Sequence, residues 1–576
     1  MAMVLTPILK NTVSRNLKNI SGGTRVKFDL PDDHESIITY LKEPGDKSYS
    51  EKLNSVIKII SSPNTDNTLL LKWIKEFKDN ILFLSRENNR IISALLNLNW
   101  YLKDDSFIVL YEEFIQNLVT AHASYVGEVL FMIVKIFYTV SDVNNEDITE
   151  SEMKMYQNSH KLLKLVIKLV PLSIHALCPL LSKKFPYVKT STHILHCYIV
   201  NLLNICTYLP SKRPEILKCI FEHLINVDVN CSRENIELYE FQREQQNIAM
   251  IEQGTMEEAD VQKDTSMAFP LARTLDLAMN SMFTFIHKTC YPEGEELDWD
   301  ATKKLYKELL AIFEKIILPT HGSCHLQYVM FYICSFKQDL CDGFLDYLWK
   351  KVQNPSIGPV HRQICAFYIG SLLARAKYIN ISTVTACFDL MCNWIHRYID
   401  VHTTQDLVVH GTFHSICQTV FYVFAFRSKE LLELKNGHKY LQSLNFDRIV
   451  TSRLNPLRFC DSTIVQNFAN VSRNYQIAYV YPVIERNNRN LLYSCFEPSV
   501  SYTAGAMIQT FFPFDPYSLK RSKHWIEHLY RVYNHTHKDE DAMDYEDVEV
   551  PSNDDLFSYG TSPGFKKSNF LKHDKG

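Results

Sequence analysis

The chain has 576 residues, 46% hydrophobic and 22% charged, with a formal net charge of −4. Such a composition excludes a wholly disordered chain and a uniformly basic nucleic-acid binder. Its Gly 16 and Pro 21 are about half the usual share of roughly 12%, which argues against glycine-rich sandwiches and barrels and favours long helices with short connections.

Residues 1–45 are polar and carry Gly22, Gly23, Pro31 and Pro44, so they read as a flexible N-terminal arm. The opening MAMVLTPILKNTVSRNLKN has no apolar core of signal-peptide length. From about Ser50 the apolar residues recur with a helical period. The spacing predicts helices over 50–62, 67–85, 88–103, 106–121, 124–141, 150–170, 172–185, 191–209 and 212–227. They resume over 267–290, 300–318, 325–336, 338–352, 360–377, 383–400 and 408–433. In KKLYKELLAIFEKIIL, for example, Leu305, Leu309, Ile312, Phe313 and Ile316 share one stripe. Helix pairs recur about every 40 residues without a tight repeated motif, which suits a HEAT-type solenoid. The expectation is an all-α, HEAT-repeat-like α-solenoid with under about 5% strand, its competitor being an irregular helical bundle. The repeats are placed at 46–238 and 268–530, with an acidic loop at 239–267 and an acidic disordered tail at 531–576.

Thr190–Ser211 and Leu407–Phe426 are uncharged and approach membrane length. Both carry histidines and amides and read as buried helices, so no membrane partner is expected. The 15 cysteines begin at Cys178, form no CxxC pair, and read as reduced thiols of a cytosolic or nuclear protein.

Charge is uneven. Residues 153–218 hold ten Lys/Arg and one acid, including Lys161, Lys164 and Lys168 on one helix stripe, then Lys183, Lys184, Lys189, Lys212, Arg213 and Lys218. They can form one basic ridge or an ordinary solvated face. Residues 219–266 carry 11 acids against 3 bases, and 538–558 nine acids and one lysine.

Motifs of catalysis are scarce. Gly560-Thr561-Ser562-Pro563-Gly564 matches GxSxG, but proline follows the serine and supplies no oxyanion N–H. Ser562-Pro563 reads instead as a proline-directed phosphorylation site. The tail acids lack the EF-hand glycine, and Met543 holds a ligand position. His321, Cys324 and His325 lack a matching second pair for zinc and read as a helix N-terminus with a buried cysteine. The residues point to an interaction scaffold that is not an enzyme and has no catalytic residues, metal or cofactor.

Five strings carry a family resemblance: LPTHGSCHLQYVMFYICSFK (318–337), YIGSLLARAKYI (368–379), YLQSLNFDRIVTSRLNPL (440–457), IERNNR (484–489) and FFPFDPYSLKRSK (511–523). In this order the chain, from about residue 50 to the acidic tail, resembles the RNA polymerase I-specific transcription initiation factors of the TIF-IA type. The resemblance implies a nuclear and nucleolar phosphoprotein, a monomer or weak homodimer, that binds RNA polymerase I near its stalk. It implies a bridge to the promoter-bound selectivity (core) factor that starts ribosomal RNA synthesis. A direct contact with promoter DNA is left open, and the competing reading is a generic HEAT scaffold or nuclear transport receptor.

Two sites follow from the resemblance. Leu373, Ala374, Arg375, Ala376 and Lys377 match the string associated with the selectivity factor. By helical position Leu372, Leu373 and Ala376 should pack inward, while Arg375 and Lys377 should reach solvent near the helix C-terminus. The polymerase patch falls on Lys183, Lys184, Lys189, Thr190, Ser191 and Thr192, with Ser191 the candidate phosphorylation site. The same hydroxyls can serve as a plain N-cap.

Overall fold

In the computed structural model the described residues are 36–38, 48–62, 65–84, 88–140, 147–252, 266–294, 296–404, 406–494, 508 and 510–533. Their regular structure is helical. Among them there is no strand, only an isolated antiparallel bridge between Ala376 and Tyr530. The arm before residue 36 and the tail beyond 533, with Ser562, lie outside the described residues.

The chain divides into two compact units, one of Met1–Ile133 with Asn158–Ile174, the other of Val134–Gln157 with His175–Gly576. The first contains α1 (Ser48–Ile60), α2 (Asn67–Asp79), α3 (Asn89–Leu96), α4 (Asp105–Ala121) and most of α5 (Val126–Ile136). Here α1 packs on α3 and α2 on α4. Asp66 caps α2 by accepting the Thr68 N–H at 3.1 Å. Trp100 stacks on Tyr111 at 5.3 Å, and the Tyr111 hydroxyl donates to the Leu95 carbonyl at 3.0 Å. A buried phenol therefore keeps a partner, as a desolvated polar group requires.

Helix α6 (Glu150–Leu169) gives its first residues to the second unit and its later ones to the first. The second unit continues through α7 (Ser173–Lys183), α8 (Thr192–Tyr208), α9 (Arg213–Val229), α10 (Arg233–Glu252), α11 (Pro270–Cys290) and α12 (Trp299–Ile312), which ends in a π-turn at Phe313–Ile317. Then follow α13 (Tyr328–Cys334), α14 (Gln338–Gln353), α15 (Pro359–Arg375), α16 (Ile381–Val401) and α17 (Leu407–Glu433). Three short helices lead to α18 (Ser462–Asn474) and α19 (Tyr481–Ser494). Neighbouring helices pack on one another, α8 on α9 and α11, α14 on α15, and α16 on α17.

Helix α17 is the longest at 27 residues, and it is apolar on every side because α15, α16 and α18 all cover it. Its membrane-like composition is thus explained by burial, 83% over its most apolar window. The Thr190–Ser211 stretch forms α8, buried against α9 and α11. The described cysteines are free thiols, most of them buried.

Two boundaries differ from expectation. The acidic loop was placed from Tyr239, yet α10 continues to Glu252. Tyr239 stacks on Phe269 at 4.6 Å, and Glu240 accepts from the Ala268 N–H at 2.8 Å, so this polar stretch is held by tertiary contacts that carry no periodic signature. Residues 253–265 lie outside the described residues. The second difference is at 510–533, expected to be repeat up to 530 and tail from 531 but folded as an irregular strap with 3-10 turns at Ser522–Trp525 and Glu527–Leu529.

The strap is built into the core. Phe514 and Leu519 are fully buried, and Phe514 sits among Tyr328, Phe331 and Tyr368 at centroid distances of 5.4, 5.2 and 5.7 Å. Its backbone is satisfied by side chains of several helices. Phe514 N–H donates to Ser371 Oγ at 3.0 Å, Gln327 Nε2 to the Pro513 carbonyl at 2.7 Å, and the Arg521 and Ser522 amides to Asp276, each at 2.7 Å. An extended segment without a sheet needs such partners for every buried amide.

Two outcomes follow from this packing. Phe514→Ala is expected to lower unfolding free energy by about 3–5 kcal/mol, as for other buried phenylalanines; an unchanged denaturation midpoint would show that the strap is not part of the cooperative unit. His414 is fully buried, and burial holds its pKa down at about 3. Its unfolded value is near 6.5, so the unfolded chain binds the extra proton between those values and stability is lost as pH falls below about 6.5. His414→Leu should flatten that loss by up to about 1.4 kcal/mol per pH unit, read from denaturation curves at pH 7 and pH 5.

Candidate functional site

The predicted polymerase patch is one turn between α7 and α8. Helix α7 ends at Lys183, and Ser191 occupies the position before α8. Lys183 and Lys189 are exposed, while Lys184, Thr190, Ser191 and Thr192 are half-buried. The turn is closed by Thr190 N–H donating to the Tyr187 carbonyl at 2.8 Å, and Tyr187 itself is 70% exposed. Phe185 anchors the turn, stacked on His223 at 3.8 Å and edge-on to Tyr198 at 5.1 Å. A fixed backbone therefore presents a small polar and cationic surface.

The hydroxyls are not equivalent. Thr192 Oγ1 hydrogen-bonds Thr274 Oγ1 on α11 at 2.8 Å, so it serves packing. Ser191 holds the cap position with extended backbone but makes no side-chain cap bond. The plain N-cap reading of Ser191 therefore lacks its defining interaction.

Directly below the turn, the first residues of α8 point inward. His193 Nε2 lies 3.2 Å from both carboxylate oxygens of Glu152 on α6, and Cys197 Sγ lies 3.6 Å from the same nitrogen. Glu152 also closes a capping box, accepting the Thr149 N–H at 2.9 Å. Burial pushes the Cys197 thiol up to about 11. This cluster was missed from sequence: His193 and Cys197 show the i, i+4 spacing, but nothing local points to Glu152.

The second predicted site is corrected in part. Leu372, Leu373 and Ala376 are buried as expected and Lys377 is exposed, but Arg375 is 0% exposed rather than reaching solvent. The strap covers it. The Arg375 guanidinium lies over Phe426 and Tyr530, at 4.6 and 5.3 Å from the ring centroids, and 3.8 Å from the Asp515 carboxylate. Its carbonyl accepts the Arg531 N–H at 2.7 Å, and Lys377 N–H donates to the Leu529 carbonyl at 2.9 Å. The aromatic walls and the buried acid explain why this cation is inside. The LARAK segment is thus mainly a dock for the strap.

The rest of the basic segment is largely paired. Lys161 meets Glu112 at 2.7 Å, Lys212 meets Glu215 at 2.6 Å, and Arg213 is buried against Glu308 at 2.6 Å. Lys161, Lys164 and Lys168 line one side of a shallow groove in the first unit, opposite Val109, Glu112 and Glu113. Lys520 and Arg521 pair with Glu240 and Asp147.

In PTHGSCH, His325 is fully buried, with Nδ1 2.8 Å from Asp228 and Nε2 2.7 Å from Ser518 on the strap. Asp228 also accepts the N–H groups of Cys324, His325 and Leu326, so it caps the turn leading to α13. Burial disfavours its charge, yet the His325 side chain, then the Ser323 hydroxyl and the Leu326 N–H, hold the Asp228 carboxyl below the usual 3.8. His321 is exposed, so the three residues do not gather as a metal set.

The chain is similar to known proteins over most of its length. A family model described as "RNA polymerase I specific transcription initiation factor RRN3" matches residues 34–538. The mouse protein "RNA polymerase I-specific transcription initiation factor RRN3" is 38% identical over 512 residues, covering 82% of this chain and 77% of its own. A fission-yeast (Schizosaccharomyces pombe) relative of the same description is 26% identical over 507 residues, covering 82% of this chain and 81% of its own. Among solved structures, "Crystal Structure of RNA Polymerase I Transcription Initiation Factor Rrn3" aligns with a TM-score of 0.70 at 21% identity. It covers 86% of this chain and 97% of that one, and supports the fold.

Burial separates the two cations of the LARAK string in a measurable way. Arg375→Ala should cost about 3 kcal/mol or more, since it leaves the Asp515 side of a buried pair undercompensated. Lys377→Ala should stay within about 0.5 kcal/mol, as at other exposed positions. Equal effects in denaturant titration would show that Arg375 is not the buried member.

Proposed function

The chain belongs to the family of RNA polymerase I-specific transcription initiation factors, and on that premise we propose that it binds RNA polymerase I through the Lys183–Thr192 turn and carries it to the promoter-bound selectivity factor. The family is one of initiation factors, not enzymes, and its work is nuclear. The bridging, the nucleolar site of action and control by phosphorylation are our reading.

The observation that carries it is the turn's exposed cationic face: Lys183, Tyr187 and Lys189 are exposed on a backbone closed by the Thr190 N–H to Tyr187 carbonyl bond, and half-buried Ser191 stands among them at the start of α8. Phosphate there adds about −1.5 to −2 charge at pH 7. At a helix N-terminus such charge is stabilising, so its effect falls on the partner surface rather than on folding. Thr192, tied to Thr274, is a poorer target because modification would break a packing contact. On the selectivity-factor side, the contact within the LARAK string is left to Lys377, because Arg375 is under the strap.

Ser191→Asp should reduce co-purification of RNA polymerase I at least several-fold while unfolding free energy stays within about 1 kcal/mol. Ser191→Ala should bind normally and change unfolding free energy by no more than about 1 kcal/mol. Undiminished binding by Ser191→Asp would remove the turn from the polymerase interface.

A further inference from the structure

We propose that Glu152, His193 and Cys197 bind a zinc ion that fastens the start of α8 to the start of α6. The inference is independent of the polymerase-patch reading, although the cluster begins one residue after Thr192.

The argument is geometric. His193 and Cys197 are four residues apart and so share a face of α8. Glu152 projects from the first turn of α6. One donor atom from each residue lies within 4.8 Å of the others, and among the described residues this is the cluster of ligand types with that property. The distances are those of a coordination sphere. Zinc bonds of about 2.3 Å to sulfur, about 2.05 Å to nitrogen and about 2.1 Å to oxygen, at tetrahedral angles, place sulfur about 3.6 Å from nitrogen and nitrogen about 3.4 Å from oxygen. Cys197 Sγ is 3.6 Å from His193 Nε2, and that nitrogen is 3.2 Å from each Glu152 oxygen. Both nitrogen–oxygen distances exceed the roughly 2.9 Å of a good N–H···O bond. One ring nitrogen also faces two oxygens and a sulfur at once, more acceptors than a single N–H can serve well.

Chemistry selects the ion. A thiolate, an imidazole and a carboxylate form a mixed S/N/O set that suits zinc and not magnesium or calcium, which take oxygen donors. The side chains of His193 and Glu152 are 0% and 1% exposed, and Cys197 is 0% exposed. Net charge is costly in such a place. Thiolate and carboxylate together cancel the dication, and binding releases the Cys197 thiol proton to solvent. Three protein donors leave a fourth position for water. The capping box supplies outer support, because the Thr149 N–H orients Glu152 from behind.

The test uses the full-length chain, produced in zinc-supplemented medium and purified without chelators. Metal analysis should find about one zinc per chain, and exchange into cobalt should give a thiolate-to-metal band in the near ultraviolet with visible bands of tetrahedral intensity. Cys197→Ser should lose the thiolate band and most of the metal, while Cys206→Ser, on the same helix but outside the cluster, should keep both. A strong chelator should lower the melting temperature of the wild type and leave that of Cys197→Ser unchanged. Should Cys197→Ser fail to fold, Glu152→Gln, which keeps the side-chain shape, should show at least a tenfold weaker metal affinity. Metal-free wild type without a cobalt band, or metal retained in full by Cys197→Ser and Glu152→Gln, would overturn the proposal and leave a hydrogen-bonded His193–Glu152 pair beside a neutral thiol.

Discussion

Asp515 is the acid on which the second unit's interior depends. It is 5% exposed and stands between two arginines, Arg233 on α10 at 3.0 Å and Arg375 on α15 at 3.8 Å. Its carbonyl receives Arg233 Nη2 at 3.1 Å and the Tyr328 hydroxyl. A single strap residue therefore addresses α10, α13 and α15 together. Buried cations are tolerated only with a counter-charge and good surroundings. Here the counter-charge arrives from about 140 residues beyond Arg375 in sequence, as the separation between the two positions shows. Folding of this unit is thus coupled to docking of the strap, and the strap's aromatic residues supply the apolar burial that makes the ionic arrangement affordable.

Much of the helical framework was legible because it obeys one rule. A period near 3.6 fixed α9 to within two residues at either end, and it found α17 although that helix is apolar all round. What escaped has a different origin in each case. Helix α10 is polar on most sides and gains its support from Phe269, Ala268 and Lys520, partners remote in sequence. The strap has no helical period: Phe512 packs on Tyr422, while Phe514 and Tyr517 both pack on Tyr328, positions that an irregular backbone and not a helix face brings inward. Arg375 is expected outside from its helical position near a negative C-terminal dipole, and the expectation fails because Phe426, Tyr530 and Asp515 enclose it.

The strings that carried the family resemblance have a common physical cause. Residues 318–337, 368–379 and 511–523 are not three features but one interface: His325, Tyr328, Ser371 and Arg375 on the helices face Phe514, Asp515 and Ser518 on the strap. The strings at 440–457 and 484–489 are joined likewise. Asn455 and Asn487 exchange side-chain hydrogen bonds of 2.7 and 3.1 Å, and Asn445 and Asn455 both adopt positive φ at helix starts, a conformation that asparagine tolerates better than most residues. Unusual words in the sequence mark places where side chain, backbone conformation and a distant partner constrain one another.

That origin explains why the family could be read with more certainty than its sites. Interior constraints write long, specific strings, whereas a surface that meets a partner needs only a few exposed atoms in the right place. The turn from Lys183 to Thr192 contains no unusual word; its distinguishing features are a serine without a cap bond and two exposed lysines, which only the folded backbone reveals. The LARAK string shows the converse. It is distinctive because the strap needs it, and substitutions there act first on the core. A variant at Arg375 that loses a partner interaction would therefore report on the strap, whereas the same loss at Lys377 would report on the partner. Burial thus separates the two cations of this string, and the separation runs between residues that are neighbours but one.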